Sequence, residues 1–591
     1  MFKKLSFISY VLIFVLILSS GYCSFAETVP ETSAAATQQT VVAFSDVPQN
    51  SYAFLDINDL RTLGITTGIG GNKFGYGGKI SRGEFVTFLV RLMGWELLTP
   101  VKGSFSDNQD TGKFYYRTVE TALAHGVIKN DADKFRPTVP ITREEMAVMI
   151  VRCLNYDALS TKLDYLGKPF PDVVDNAGYI TIARDLGIIN GDTAGNFSPK
   201  ATALKEQAAA MMMRMYNRLN ASLKDLNGFY AVSSNSQKDF ISSFSSMSFG
   251  WSRLTFDSAT GGISLNTVRD GSVFQEYSLP EGFSERLATT REKNIPALLN
   301  VLASQDTLVT DAQANKTTGL LEYLLTKPEL TEKLISDISD KIANVSRDSE
   351  SGNFDGIVID FEGMKGETLK QSFNAFLKAL REKLGPDKKI FVTVPPVLSR
   401  SMPYFDAYDY RTIGEIADKV ILMAHDYAAT KLTESDTANG WNITPLTPIY
   451  EIYQALRSIT DKDTGVADKN KIMLQLSFEW LGWQKKDGKI LNSKPDNYGL
   501  TNFMELFNSS PTVEFLDQYR NPYLKFVDGA GVEHVVWYED SRSISEKIKM
   551  AKMFGIKGIS VWRLGNIPDV KVQNGTVPYM DVWDTLTKDF K

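Results

Sequence analysis

Residues 353–364 read NFDGIVIDFEGM, an apolar run that ends in two carboxylates, Asp360 and Glu362. Successive side chains of a strand point to opposite faces. Ile357, Ile359 and Phe361 therefore share one face, and Val358, Asp360 and Glu362 share the other. Near-continuous apolar runs suit parallel strands covered on both sides, so the Ile/Ile/Phe face is expected to lie beneath helices. The other face carries its acids at the C-terminal end of the strand. In a barrel of parallel strands that is the end where chemistry is placed. A salt-bridged pair at a surface strand end would show the same spacing, so the surrounding chain has to decide.

Outward from this stretch, from about Asn227 onward, short apolar runs alternate with helical ones, which argues for a parallel α/β arrangement. Candidate strands include FYAVSS, IPALLNV, IFVTVPP, KVILMAH, KIMLQLS and GISVWRL; LKQSFNAFLKALREKL and ISEKIKMAKMFG read as helices. Residues 227–591 suit a decorated (β/α)8 barrel of the TIM type. The segment YLKFVDGAGVEHVVWYED reads as a hairpin turning at Asp528-Gly529, an α+β insertion before the last helix.

The N-terminal third has a different texture. FSDV at Phe44, FSDN at Phe105 and FPDV at Phe170 recur. Each is followed by a helical segment ending at a glycine (Gly64, Gly126, Gly187), a turn-rich loop and a second helix opened by ISRGEF, ITREEM or ALKEQA. Ser81 and Thr142 suit helix N-caps, with Glu84 and Glu145 three residues on as in a capping box; Ala203 in the third copy lacks that cap. The reading is a helical module of three repeats over 42–100, 101–164 and 165–219. The loop NDADKFRP offers Asp131 and Asp133 but no third or closing ligand for calcium. GIGGNKFGYGG lacks the ending of a phosphate-binding loop. No metal or cofactor is expected.

With 591 residues, 43% hydrophobic and 23% charged, the composition is globular and long enough for several units. Lys3 and Lys4 precede an apolar stretch from Leu5 to Leu18, and Ser24-Phe25-Ala26 offers a cleavage site, so residues 1–26 read as a signal peptide. Residues 27–41 read as a flexible lead-in. Cleavage would remove two lysines and take the formal charge from −6 to −8, which argues against nucleic acid as a partner. No later run is long enough to span a bilayer. Cys153 would be the one cysteine left, in an apolar helical pattern that suits a buried core position.

The repeated Phe-x-Asp, Gly-Ile and Thr-Arg-Glu-like elements, in that order, resemble the S-layer homology (SLH) domain in three copies. The resemblance implies anchoring to a negatively charged, ketal-bearing secondary cell-wall polysaccharide, and thus a secreted protein attached to the bacterial wall or S-layer. The family's binding cation falls on Arg82, Arg143 and Lys205. A planar guanidinium suits bidentate anion recognition, which makes the lysine a departure. The third repeat has the shorter loop after Phe170, so its groove is expected to be the weaker. The same cations would also suit ordinary helix starts.

FDGIVIDFE is similar to the Asp-Gly-x-Asp-x-Asp-x-Glu signature of glycoside hydrolase family 18, and VTVPP, LMAHDY, LQLSFEWLGW and ISVWRLG agree in order. Phe361, the YEDSRSISEKI segment and the WRLG ending look closest to the branch containing spore-cortex and other bacterial wall glycosidases. The resemblance implies a retaining, substrate-assisted reaction in which the substrate's 2-acetamido oxygen attacks the anomeric carbon. Glu362 would be the acid and then the base, working best with a pKa raised to roughly 6, with Asp360 raising it by like charge. Asp360 would also hold the acetamido N–H. By the same match His425 and Asp426 belong to the site, Trp562 floors the sugar subsite, and Trp480 and Trp483 are candidates for glycan stacking. Two departures stand out: Val358 replaces the family's middle Asp, and His425 replaces the Tyr that bonds the acetamido oxygen.

Two classes of function follow. One is a wall-anchored hydrolase acting on β-linked N-acetylglucosamine in peptidoglycan or a related polymer. The other is a glycan-binding protein whose altered site holds sugar without turnover. A chitinase acting on external chitin is a third reading, with no separate chitin-binding module in the sequence to favour it.

Overall fold

The computed structural model describes residues 43–163, 166–311, 314–396, 406–432, 438, 440–569 and 579–590. The signal peptide and lead-in expected over 1–41 lie outside the described residues.

The first part is a ring of three repeats. Its helices are α1 (Phe54–Thr62), α2 (Arg82–Leu92), α3 (Tyr116–Ala124), α4 (Arg143–Cys153), α5 (Asp157–Thr161), α6 (Ala177–Asp185) and α7 (Lys205–Leu219). The Phe-x-Asp motif proves to be a clamp. In each repeat the Phe packs against a Phe of the following loop (Phe44–Phe74, Phe105–Phe135, Phe170–Phe197), with ring centroids 5.4–5.7 Å apart. The Asp accepts that loop's amides: Asp46 from Phe74 and Gly75, Asp107 from Phe135 and Arg136, Asp172 from Phe197 and Ser198. Ahead of the second helices the backbone closes a triangle. Ile141 N–H donates to Ile80 O (3.0 Å), Ala203 N–H to Ile141 O (2.9 Å) and Ile80 N–H to Ala203 O (3.1 Å).

Both predicted capping boxes form, at Ser81/Glu84 and Thr142/Glu145. In the third repeat the N-cap is Leu204, one residue beyond Ala203, and only the Gln207 side chain completes the turn by accepting Leu204 N–H. Cys153 is buried, as its helical pattern implied.

The second part is a closed barrel of eight parallel strands: β1 (Asp225–Tyr230), β2 (Ser246–Asp257), β3 (Ala297–Ser304), β4 (Gly356–Glu362), β5 (Lys389–Val394), β6 (Lys419–Leu422), β7 (Ile472–Ser477) and β8 (Gly558–Trp562). Each strand pairs with its chain neighbours, and β1 pairs with both β2 and β8 to close the ring. β4 divides as the alternation demanded. Phe361 stacks outward on Phe373 and Phe376 of the covering helix Glu367–Leu384, while Val358 points inward. The insertion is larger than the one hairpin foreseen. It is an antiparallel sheet built from strands between Leu481 and Trp537, with the helix Gly499–Leu506 against it.

The two parts are docked. Helices α8 (Ile449–Ile459) and α9 (Ser541–Phe554) of the barrel face the repeats. Asp185 Oδ2 accepts from Tyr453 Oη (2.7 Å) and Arg457 Nε (2.8 Å). Arg218 Nη1 donates to Met553 O (2.8 Å), and Lys549 Nζ to Leu154 O (3.1 Å). Among the described residues no helix is long and apolar enough to cross a membrane.

Candidate active site

The barrel interior is plugged by one apolar layer: Phe229, Leu298, Val358, Phe391, Ile421 and Met473. Because inward side chains recur every second residue, the next level up is set by the same strands two positions on. From Leu298, Val358, Phe391 and Met473 that step gives Asn300, Asp360, Thr393 and Gln475, all buried. The apolar layer thus holds a polar one at the C-terminal mouth.

Asp360 is 4% exposed. Its Oδ1 accepts from Thr393 Oγ1 (2.6 Å) and its Oδ2 from Asn300 Nδ2 (3.1 Å). Burial raises its pKa, against those two hydrogen bonds and the nearby His425. Val358, in the place of the resembled family's middle Asp, is a fully buried member of the plug, so Asp360 is held from its sides.

Glu362, one step further out and half-buried, has no side-chain hydrogen-bond partner among the described residues. Its carboxyl is pushed up to about 8, first by burial and then by the charges of Asp360 and Asp426, with His425 opposing. The like-charge effect expected from the sequence is present but second to desolvation.

His425 Nε2 lies 2.7 Å from Gln475 Oε1. The Gln475 amide nitrogen points to Ser560 Oγ, so its oxygen accepts and the imidazole donates. His425 Nδ1 is 2.8 Å from Asp426 Oδ2, an ion-pair contact. Burial disfavours the imidazolium, but Asp426 and Gln475 outweigh it and raise the pKa to about 9. Asp426 stands in the left-handed backbone region at φ 62°, uncommon for a residue with a Cβ. Its side chain sits among the cleft's groups while 67% of its surface faces the opening.

Trp562, at the end of β8, is partly buried over the plug, edge-on to Phe229 at 5.4 Å. It also packs against the cluster of Ala231, Tyr277 and Leu302, as does Phe274. Trp480 and Trp483 are elsewhere. Both are 1% exposed. Trp480 stacks on Phe503, and Trp483 packs with Trp441, Tyr523 and Trp537 in the core of the inserted sheet. Neither presents a ring face to a glycan, which corrects the stacking role expected of them.

Several residues of the mouth went unread. Asn300, Thr393 and Gln475 each interrupt the apolar run of a strand, in ALLNVLAS, FVTVPP and MLQLS. That is the signal by which Asp360 was found, applied to one strand only. Tyr277 had no such signal. It arrives on a loop held by fully buried Arg253, which donates to Tyr277 O (3.1 Å), Val268 O (2.9 Å) and Asp270 Oδ1 (2.6 Å). Glu479, just past β7, has its pKa raised by burial and by the charge of Asp426.

In the repeats the three cations occupy equivalent positions with unequal company. Arg82 donates to Phe135 O (2.8 Å) and pairs with Glu145. Lys205 pairs with Glu84 at 2.6 Å. Arg143 donates to Phe197 O (2.7 Å), and its guanidinium lies 4.7 Å from the Phe197 ring centre, but it has no ion pair among the described residues. The reason is in the capping positions. Glu84 and Glu145 each serve a cation of the neighbouring repeat, and the third residue of the set is neutral Gln207. Arg143 lines a cavity of about 560 Å³ with Tyr52, Asn190, Gln207 and Arg214. The third repeat, expected to form the weaker groove, supplies much of its wall through residues between Ile189 and Thr202.

Comparison with known proteins agrees with both parts. Residues 321–566 match the family model for glycosyl hydrolases family 18, and residues 43–86, 104–147 and 169–209 match the S-layer homology domain. The cortical fragment-lytic enzyme of Bacillus anthracis is 26% identical over 275 residues, 44% of this chain and 56% of that protein. An S-layer protein of Bacillus thuringiensis subsp. finitimus is 29% identical over 196 residues, 32% of this chain and 23% of that protein. The crystal structure of the Bacillus cereus spore cortex-lytic enzyme SleL has a TM-score of 0.47 at 18% identity, covering 63% of this chain and 75% of that one. The chain spans about half the length of the curated cortical relative it matches.

Proposed function

We propose that this chain, which belongs to the glycosyl hydrolases of family 18 through its barrel and carries three S-layer homology repeats ahead of it, is a wall-anchored glycosidase cleaving β-linked N-acetylglucosamine in peptidoglycan or a related polymer. The supporting observation is the pairing at the end of β4: Glu362 retains its proton near neutral pH beside an Asp360 oriented by Thr393 and Asn300.

In the proposed reaction Glu362 protonates the leaving glycosidic oxygen while the substrate's acetamido oxygen attacks the anomeric carbon. The resulting Glu362 carboxylate then takes a proton from the incoming water, and the configuration is retained. Each Asp360 oxygen uses one lone pair on its fixed partner and has another free, so the carboxylate can accept the acetamido N–H. Trp562 supports the sugar ring from below.

The repeats bind an anionic wall polysaccharide outside the membrane. The Arg143 cavity is the principal contact, because Arg82 and Lys205 are already neutralised by glutamates. The test is reducing-end release from purified peptidoglycan and from chitin oligomers by the full chain and by Glu362→Gln. Release from peptidoglycan that the variant loses supports the reading; release from chitin alone would favour a chitinase.

One observation favours a non-catalytic glycan binder. His425 stands where the resembled family has a Tyr, and its Nε2 is already committed to Gln475 Oε1 instead of being free for the acetamido oxygen. That reading predicts sugar binding without release from either polymer.

A further inference from the structure

We infer that Arg563 is the residue by which the cleft recognises a carboxylate on its substrate, the 3-O-lactyl carboxylate of an N-acetylmuramic acid freed of its peptide, in the subsite adjoining the one that Trp562 floors. The inference rests on the glycan-site reading above and names the polymer unit that the site selects.

Arg563 directly follows Trp562 at the rim of the barrel and is partly buried. Its contacts are two backbone carbonyls, Ala231 O at 3.5 Å and Leu564 O at 3.4 Å, both at the long limit of a hydrogen bond. Both come from Nη1. Nε and Nη2, which together form a side-on fork matched to a carboxylate, have no partner among the described residues, and Arg563 forms no ion pair there. The other cation of the cleft, His425, is in contact with Asp426. Burial disfavours the charge of Arg563, whereas Tyr277 and Glu479 lie within electrostatic reach and favour it.

The balance of charge gives the fork its use. Asp360, Glu362, Asp426 and Glu479 make the cleft acidic when ionised, a poor setting for an anionic sugar. Chitin, being neutral, needs no cation there. A muramic acid with an open lactyl carboxylate in the adjoining subsite needs one close to the ring-supporting tryptophan, which is where Arg563 stands. While the peptide is attached that carboxyl is an amide, so an amide-hydrolysing reaction must supply this substrate.

The experiment compares three substrates of equal length with the full chain: peptide-free N-acetylglucosamine–N-acetylmuramic acid oligosaccharides, their lactyl methyl esters, and chitin oligomers. The parent is expected to favour the carboxylate over the ester by roughly tenfold or more in kcat/KM, as a charged hydrogen bond allows. Arg563→Met should bring that ratio to near one, and Arg563→Lys, which keeps charge without the fork, to an intermediate value. If Arg563 only balances the charge of Glu479, Arg563→Met slows both substrates alike and leaves the ratio intact, which overturns the inference. If nothing is hydrolysed, the hydrolase reading falls, and calorimetric binding of the same ligands to full-length Glu362→Gln decides. A carboxylate preference lost on adding Arg563→Met supports the inference; equal binding of acid and ester overturns it.

Discussion

The barrel mouth and the repeat grooves both hold charge in confined places, and they treat it differently. In the mouth Glu362 is half-buried with no hydrogen-bond partner among the described residues, and burial keeps its proton on. In the grooves two of three cations are neutralised by glutamates from the next repeat. A buried charge without a partner is costly, so the places that keep one mark where an outside group is meant to complete the set. By that measure Arg563 and Arg143 stand apart from Arg82 and Lys205, although Arg82, Arg143 and Lys205 hold equivalent positions in the chain, while Glu362 avoids the cost by staying protonated.

The largest effect should come from removing the proton donor. Glu362→Gln is expected to lower turnover by about 10²–10⁴-fold, the usual worth of a positioned acid/base, in a reducing-end assay on the preferred polymer. Asp360→Asn tests what surrounds that donor. In the parent, activity should fall as pH rises through about 8, where Glu362 loses its proton. Removing the neighbouring negative charge makes ionisation easier, so the alkaline limb of the pH–rate profile should move to lower pH; a limb that stays put would assign the shift to burial alone.

Gln207→Glu would sharpen the comparison within the repeats. It gives Arg143 the carboxylate neighbour that Arg82 and Lys205 already have, and should weaken retention on purified wall polysaccharide by roughly tenfold, the scale of a charged hydrogen bond. Asp185→Ala removes the shared acceptor of Tyr453 and Arg457 and should cost about 1–3 kcal/mol. The expected signature is separation of one thermal transition into two as the repeats detach from the barrel.

The same proton also makes stability depend on pH. Glu362 is held protonated well above its ordinary value of 4.5, so between that value and about 8 the folded chain binds a proton the unfolded chain does not. Stability contributed by this group is present below 4.5 and lost as pH rises through 8. Glu362→Gln should therefore raise the melting temperature more at pH 9 than at pH 5.

Much of the active site could be read because it obeys a period of two. The alternation in β4 assigned Phe361 to the helices and Asp360 to the interior, and the same rule applied to β3, β5 and β7 would have yielded Asn300, Thr393 and Gln475. The strand Ser246–Asp257 was missed, since its serines and glycine hide the pattern that isoleucine and valine make plain. Trp480 and Trp483 misled for a related reason: an aromatic at or near a strand is equally suited to a core or a sugar platform, and only what packs over it, Phe503 on Trp480 and the inserted sheet on Trp483, distinguishes the two.

The sequence by itself determined the three repeats, their caps, the parallel barrel and the strand end that carries the acids, because each follows from local periodicity and short-range hydrogen bonding. The tertiary structure alone decided which of three equivalent cations lacks a partner, how Asp360 is held once Val358 joins the plug, and where the repeats dock on α8 and α9. These depend on contacts between residues far apart in the chain, such as Arg82 with Glu145 or Asp185 with Tyr453, whose spacing no local pattern encodes.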